Sequence, residues 1–259
     1  LMRIRRRLAN ARFGLVNVAR QICTLVFLML AFVGCSLFRP NPLREGRGAV
    51  ALVFDTRTAG DLGDLRQTLR DSDVRATVFA SGRIDRGTAL ALMDFESDGH
   101  EIGLSGLNGV DLQSYVKMYG QQKYFQDEIL TQVIDTERQG LNPRYYLLRY
   151  PSKMKAEALA IPPFLVSKGF ACVVDLMPDY VSPRAVPVSA LNAPSVLHAY
   201  QLTEKNFDRA QIASLASRNQ ILVVSPSPQV LPALLSEAQA QGVPFATVGE
   251  IVESIRDKR

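Results

Sequence analysis

Five side chains that could take part in chemistry follow directly after apolar segments typical of buried β-strands. They are Asp55, Ser81, Arg149, Asp175 and Ser225. In sheets and barrels of parallel strands, residues at the carboxyl ends of the strands gather at one edge, which is where catalytic and binding sites lie. We therefore expect these residues to lie close together at the carboxyl ends of the strands, a region that we call the mouth. Serine often caps the helix that follows a strand, and we favour this alternative for Ser81 and Ser225.

The elements that would position these residues alternate between strand and helix from residue 48 onward. The run 49–54 is continuously apolar, as in a parallel strand that is buried on both faces. Further strands are predicted at 76–80, 100–103, 145–148, 170–174, 196–199, 221–224 and 244–247. Helices are predicted at 61–72, 87–97, 111–138, 155–168, 207–216 and 228–240 and at the C-terminus. This alternation predicts an α/β fold with a parallel sheet, either open or closed into a barrel.

Composition and charge limit the classes of protein to which the chain can belong. With 259 residues, 47% of them hydrophobic, the chain suits one domain of roughly 200 residues plus an N-terminal segment. Residues 1–34 carry six arginines and no acid, which leaves 24 of the 30 basic residues against 25 acidic ones elsewhere. Because the positive charge belongs to that segment, nucleic acid is excluded as a partner. The two histidines, His100 and His198, are too few for a histidine-rich metal site.

Nucleophilic catalysis finds no support in the sequence pattern. Ser105, Ser225 and Cys172 have no histidine nearby in a credible order, and the chain has no Gly-x-Ser-x-Gly motif. Cys172 lies inside an apolar strand and is interpreted as a core residue. The three cysteines form neither a disulfide framework nor a zinc cluster.

The N-terminal segment has the pattern of a secretory signal. An arginine-rich stretch precedes the apolar run 22–34, which at 13 residues is shorter than the ~20 residues of a spanning helix. The sequence Ala-Phe-Val-Gly-Cys at 31–35 resembles the lipobox of bacterial lipoproteins, in which the cysteine, here Cys35, is lipidated. An uncleaved single-span anchor is the alternative. Both place the rest of the chain outside the cytoplasm, anchored to a membrane, on the periplasmic side in a diderm host.

These observations predict four parts of the chain. A lipoprotein-type signal segment covers 1–34, a tether covers 35–46, one domain covers 47–254 and a C-terminal tail covers 255–259.

Six segments of the domain, in order, resemble motifs of the polysaccharide deacetylase family. The most specific match is Gly-His-Glu-Ile-Gly at 99–103. The others are Val-Phe-Asp-Thr-Arg at 53–57, Val-Arg-Ala-Thr-Val-Phe at 74–79, Leu-Arg-Tyr-Pro at 148–151, Ile-Leu-Val-Val-Ser at 221–225 and the segment 240–248. The resemblance covers roughly residues 47–254. It implies the distorted (β/α) barrel of the NodB homology domain.

The resemblance also implies an amide hydrolase whose divalent metal, such as zinc, is held by one aspartate and two histidines. In this chain those positions fall on Thr56, Ser105 and Gly109. The C-terminal catalytic histidine of the family falls on Ser225. Since all four residue types are replaced, we expect no metal and no other cofactor.

Part of the family's charged cluster persists. Asp55 occupies the position of the catalytic base, Arg149 that of its partner, and Asp175 or Asp179 that of an acid bracing the arginine. We interpret this cluster as vestigial, because the members of a buried charge network are kept for structural reasons. Oxygen ligands from Asp55, Thr56 and Asp175 could in principle hold Mg²⁺ or Ca²⁺.

The leading functional hypothesis is a catalytically inactive envelope lipoprotein that binds peptidoglycan or an exported polysaccharide. Its groove is expected to include Ser105, Tyr150, Asp179, Tyr180 and Ser225, since sugars stack on aromatic rings. One alternative is a protein-interaction subunit of an envelope assembly. For that function the tyrosines of 115–119 and 124–125 could form an apolar patch, although helical core packing is favoured. The other alternative is an active polysaccharide or peptidoglycan N-deacetylase with an atypical site.

Overall fold

Seven parallel strands close into a barrel, as the computed structural model of the chain shows. The structure describes Leu43 and residues 48–56, 59–149, 160–177, 186–187, 196–218 and 220–257. The strands are β1 (Ala49–Thr56), β2 (Thr77–Ala80), β3 (Glu101–Leu104), β4 (Tyr145–Arg149), β5 (Cys172–Met177), β6 (Val186–Pro187), β7 (Val196–Leu202), β8 (Gln220–Pro226) and β9 (Phe245–Ala246). The ring runs β1-β2-β3-β4-β5-β7-β8, and β8 pairs with β1 to close it. The predicted (β/α) barrel is confirmed.

Two short strands extend the ring. Strand β9 pairs in parallel with β1, and β6 pairs antiparallel with β8. Strand β6 is not predictable from the sequence, because two residues are too few for an alternating pattern to be recognised.

Helices follow the strands on the outside of the barrel. They are α1 (Ala59–Asp71), α2 (Arg86–Ser97), α3 (Leu112–Tyr124), α4 (Thr131–Arg138), α5 (Ile161–Ser167), α6 (Arg209–Arg218), α7 (Leu231–Ala240) and α8 (Val248–Arg256), with a π-helical segment at Phe125–Leu130 between α3 and α4. Side-chain caps mark the starts of α2, α3 and α8. Asp85 accepts a hydrogen bond from the Thr88 amide, Asp111 accepts one from the Ser114 amide, and Thr247 forms a capping box with Glu250.

The predicted helix over 111–138 is interrupted twice. Gly120 has φ 81° and ψ 163°, outside the helical region, so residues 112–119 and the residues after 120 form separate helical pieces. In the π-helical segment that follows, each hydrogen bond joins residues five apart instead of four, which widens the helix. Helical periodicity read from the sequence is lost at both places.

Two apolar layers explain why β1 is apolar on both faces. Ala49, Ala51 and Val53 point into the barrel, while Val50 and Leu52 point outward against the helices. The interior is narrow enough that Gly103 has no room for a methyl group beside the Phe79 ring.

The packed domain extends beyond both predicted boundaries. Leu43, which was assigned to the tether, is fully buried, and its carbonyl accepts a hydrogen bond from Ser254 Oγ at 3.4 Å. Ile255, which was assigned to the tail, is also buried within α8. In the described residues, no helix combines the length and the apolar composition that a membrane crossing requires. The predicted signal segment lies outside the described residues.

Candidate functional site at the carboxyl end of the barrel

Polar side chains replace apolar ones inside the barrel where five strands end. Each of these residues lies two positions after a residue that faces the interior, so its side chain points the same way. They are Asp55, Ser81, Ser105, Arg149 and Ser225. The structure therefore brings together four of the five strand-end residues singled out from the sequence and adds Ser105.

Asp55 is the centre of this group. Its side chain is only 5% exposed, and its Oδ2 atom forms an ion pair with the Arg149 guanidinium. The same oxygen accepts a hydrogen bond from Ser105 Oγ at 3.0 Å. The other oxygen, Oδ1, is buried and has no hydrogen-bond partner among the described residues. Arg149 is half-exposed at the mouth, so the pair places a cation between the carboxylate and solvent.

Asp175 does not belong to this group. Leu148 and Asp175 are register partners, and Leu148 packs in the outer layer, so Asp175 faces away from the barrel interior. Its Oδ2 atom lies 3.4 Å from Nδ1 of His198, its register partner on β7. Asp175 therefore pairs with His198 and does not brace Arg149, while Asp179, the other candidate for that role, lies outside the described residues. A Mg²⁺ or Ca²⁺ site shared by Asp55 and Asp175 is also wrong, because the two carboxylates point to opposite faces of the sheet.

Each of the two histidines forms a hydrogen bond with a neighbouring group of the protein. His198 is hydrogen-bonded to Asp175, which raises the pKa of the imidazole. His100 is buried, its Nδ1 accepts the Ala76 amide at 3.1 Å, and its ring packs on Phe95. Burial lowers the pKa of His100, since a low-dielectric surrounding disfavours the charged ring.

Cys172 is fully buried in the interior layer, as expected of a core residue. Burial raises the pKa of its thiol, which makes the nucleophilic thiolate form scarce.

The two strand-end serines do not cap helices. Asp85, not Ser81, caps α2, and α7 begins after Val230 without a side-chain cap. Ser81 instead donates its hydroxyl to the Thr56 carbonyl at 3.2 Å, which ties the ends of β1 and β2 together. The capping interpretation is therefore wrong for both Ser81 and Ser225.

A cavity of about 210 Å³ opens beside the Asp55–Arg149 pair. Its polar wall includes Ser81, Ser105, Asn108, Glu128 and Arg149. Leucines at 107, 112 and 147 together with Tyr124 supply the apolar wall. Hydrogen-bonding groups facing an apolar surface are the usual composition of a binding site for a small polar molecule.

The loop 105–110 forms one side of the cavity and is held by two buried side chains, Glu128 and Gln132, that the sequence pattern does not predict. The carboxylate of Glu128, 2% exposed, accepts the Asn108 amide at 2.9 Å and Asn108 Nδ2 at 2.7 Å. Gln132 accepts the Gly106 amide at 3.1 Å and donates to the carbonyls of residues 80, 82 and 106. These bonds fix Ser105 beside Asp55.

No sequence signal identifies Glu128 and Gln132 as buried. In a regular amphipathic helix, such polar residues are placed on the solvent side. The π-helical segment rotates the helix between Phe125 and Leu130 and turns both side chains toward the loop. π-helical turns of this kind are frequent at functional sites.

The donor set at the mouth does not fit the divalent metal that the family resemblance implies. In the part of the chain that the structure describes, no three His, Cys, Asp or Glu residues are placed to share a metal ion. Asp55 already carries a guanidinium on Oδ2, and both carboxylate oxygens of Glu128 accept hydrogen bonds from Asn108. Thr56, Ser105 and Gly109 supply no histidine or carboxylate in place of the family's ligands.

Tyr150, Asp179, Tyr180 and Cys35 lie outside the described residues, so their predicted roles in binding or lipidation stay predictions.

Comparison with known structures agrees with this fold. A deacetylase solved with its substrate superposes with a TM-score of 0.52 and 18% identity over 81% of this chain and 93% of that chain. A family 4 carbohydrate esterase from Bacillus anthracis gives a TM-score of 0.51 and 16% identity over 80% and 84% of the two chains. The Xyl-CE4 domain of a multidomain xylanase from the hindgut metagenome of Trinervitermes trinervoides gives a TM-score of 0.52 and 14% identity over 80% and 90%.

At sequence identities of 14–18%, structural similarity establishes the fold. The protein has the (β/α) barrel found in family 4 carbohydrate esterases, so the resemblance to NodB-type deacetylases inferred from the motifs is confirmed at that level. No family model and no curated protein matches the chain.

Proposed function

We propose that the protein binds glycan of the cell envelope, either peptidoglycan or an exported polysaccharide, in the barrel cavity without hydrolysing it. A lipid on Cys35 holds it on the outer side of the membrane. The observation that carries the proposal is the cavity itself, which lies at the carboxyl ends of the strands and combines polar groups with an apolar wall. In α/β barrels that end of the strands is the ligand-binding end.

The size and the chemistry of the cavity favour a sugar. A volume of about 210 Å³ suits a single sugar unit of a chain rather than a long segment. Asn108 and Arg149 offer donors, the serines at 81 and 105 offer both donors and acceptors, and Leu147 and Tyr124 offer an apolar surface. A pyranose ring presents the same mixture of hydroxyl groups and C–H faces.

The state of Asp55 argues against hydrolysis. Its Oδ2 atom is engaged by Arg149 and Ser105, and the described residues place no Lewis acid ligands around it. A carboxylate acting alone as a general base contributes about 10²–10⁴-fold. Enzymes accelerate slow hydrolyses by many further orders of magnitude, and metal-dependent hydrolases use a bound Lewis acid for part of this, for which the described residues offer no ligand set.

Binding and catalysis are tested on the same purified protein. Calorimetric titration with acetylated chito-oligomers and soluble peptidoglycan fragments should show saturable binding. Acetate release should stay at background with added Zn²⁺ or Co²⁺, and metal analysis should find no stoichiometric metal.

Asp55→Asn serves as the control, since it keeps the size of the side chain and removes its charge. Acetate release by the wild type that disappears in Asp55→Asn would contradict the proposal and favour an active deacetylase. Absence of binding to every glycan tested would contradict the binding function itself.

A further inference from the structure

We propose that a bound glycan leaves the cavity over three tyrosines, Tyr124, Tyr115 and Tyr119, which together form a second sugar-binding subsite. We call these residues the tyrosine track. The inference rests on the proposed glycan-binding function. It adds the direction in which the glycan leaves the cavity and the residues that contact the sugar units outside it.

The tyrosine track connects the cavity with the surface. Tyr124 is 6% exposed and lines the cavity. The ring of Tyr115 meets it edge-on at 6.1 Å, and the ring of Tyr119 lies 4.9 Å from that of Tyr115. Tyr119 is 56% exposed and Met118 beside it is 69% exposed. Aromatic surface is thus continuous from a buried wall to solvent.

The break in α3 places these rings at the mouth. Leu112, the first residue of α3, and Tyr124, the last, both line the cavity. Between them Gly120 interrupts the helix at φ 81°. A straight helix of this length would rise about 18 Å from Leu112 to Tyr124, too far for both to line a cavity of this size. The kink therefore turns residues 112–119 across the rim.

Tyr115, the middle residue of the track, is fixed in place. Its hydroxyl donates to Asp127 Oδ2, while Asp127 Oδ1 accepts Lys123 Nζ at 2.8 Å. The hydrogen bond to Asp127 raises the pKa of Tyr115 to about 12, so the hydroxyl stays neutral. A ring that is already oriented loses little entropy when a ligand packs on it.

The exposed end of the track suits a sugar better than a protein. Stable protein interfaces bury about 800 Å² on each partner, far more than Met118 and Tyr119 can offer. Lys117 and Gln121, which flank these two residues, are polar and exposed. Tyrosine combines an apolar face with a hydroxyl, which matches the C–H face and the hydroxyl groups of a pyranose.

The test compares a short and a long ligand on the full chain. Titrations use the disaccharide and the hexasaccharide of N-acetylglucosamine, together with a disaccharide and an octasaccharide of peptidoglycan. Tyr119→Ala should weaken the long ligands about fivefold to tenfold, the effect of losing one aromatic contact, and leave the short ligands unchanged. Tyr119→Phe keeps the ring face and loses only the hydroxyl, so it should retain most of the wild-type affinity. Leu90→Ala, which removes an equally exposed apolar side chain on α2, should change neither.

A fluorescence measurement gives an independent readout. The chain has no tryptophan, so Tyr119→Trp introduces a single reporter. Its emission should shift with the long ligands and not with the short ones.

Three outcomes would overturn the inference. If short and long ligands bind the wild type and Tyr119→Ala equally well, the proposed function survives and the track is wrong. If none of the ligands binds the wild type, both are wrong. If sedimentation shows self-association that Tyr119→Ala abolishes, with no effect of sugar, the face binds a second copy of the chain instead.

Discussion

Two carboxylates, Glu101 at the amino end of the barrel and Asp55 at the carboxyl end, differ in how their oxygens are hydrogen-bonded. At the amino end, both oxygens of Glu101 are satisfied: Oε1 accepts Thr247 Oγ1 at 2.8 Å, and Oε2 accepts Thr77 Oγ1 at 3.0 Å and the Gly249 amide at 2.8 Å. At the carboxyl end, Asp55 has both of its described partners on Oδ2, and Oδ1 is left without one among the described residues. One end is a closed hydrogen-bond network, and the other retains an unused acceptor.

Packing follows the same division. Helix α8 seals the amino end, where a methyl group at Gly249 would overlap the Glu101 carboxylate and the Tyr145 hydroxyl. The guanidinium of Arg75 forms an ion pair with Glu250, which lies in α8, at 2.5 Å. The carboxyl end instead has a cavity and a half-exposed arginine. The difference indicates that the amino end is packed closed, while the carboxyl end leaves polar groups beside an open cavity.

The largest expected effect is at the sealed end. Glu101→Ala leaves three buried donors without an acceptor and should lower the free energy of unfolding by about 3–5 kcal/mol. Urea denaturation followed by circular dichroism measures the loss. Glu101→Gln is the matched control and should cost less, because its carbonyl still accepts two of the donors. A loss of under about 1 kcal/mol for Glu101→Ala would break the comparison.

A smaller effect is expected at the open end. Arg149→Ala removes the cation from a carboxylate that is 5% exposed, but water can enter where the half-exposed guanidinium stood. The free energy of unfolding should therefore fall by about 1–3 kcal/mol. Adding Asp55→Asn to Arg149→Ala should recover part of the loss, since no buried charge then remains. A double variant less stable than Arg149→Ala would show that the charge of Asp55 is stabilised by groups other than Arg149, with Ser105 Oγ as one such group.

The smallest effect concerns the pair on the outer face. The hydrogen bond with Asp175 raises the pKa of His198 above its usual value of about 6.5. The folded state thus holds the proton more tightly, so this stabilisation is complete below that pH and is lost as pH rises through the folded pKa. Because His198 is half-exposed, we expect less than about 1 kcal/mol.

Unfolding of the wild type and of His198→Asn from pH 5 to 9 measures that difference. The wild type should be the more stable protein at the acidic end, and the two curves should converge at the alkaline end. A difference that grows with pH would contradict the assignment.

Much of the barrel could be predicted from local pattern. Apolar runs such as 49–54 correctly predicted strands that are buried on both faces. Polar residues that end these strands, such as Asp55 and Arg149, indicated the end of the barrel at which the candidate site lies. Because these strands are apolar on both faces, their sequences do not show which side chains point into the barrel and which point outward. In β5 both faces are apolar, so nothing in the sequence indicates that Asp175 points outward, and only the register with Leu148 decides it.

The amino-acid sequence by itself determined the order of strands and helices, the loss of histidine at the family's metal positions and the residues that end the strands. These are local properties of composition and spacing. The tertiary structure decided which of those residues meet, because closure of β8 on β1 fixes the face of every strand. It also decided the burial of Glu128 and Gln132 and the line of tyrosines, since a π-helical turn and the kink at Gly120 shift helix faces that sequence periodicity assumes to be regular.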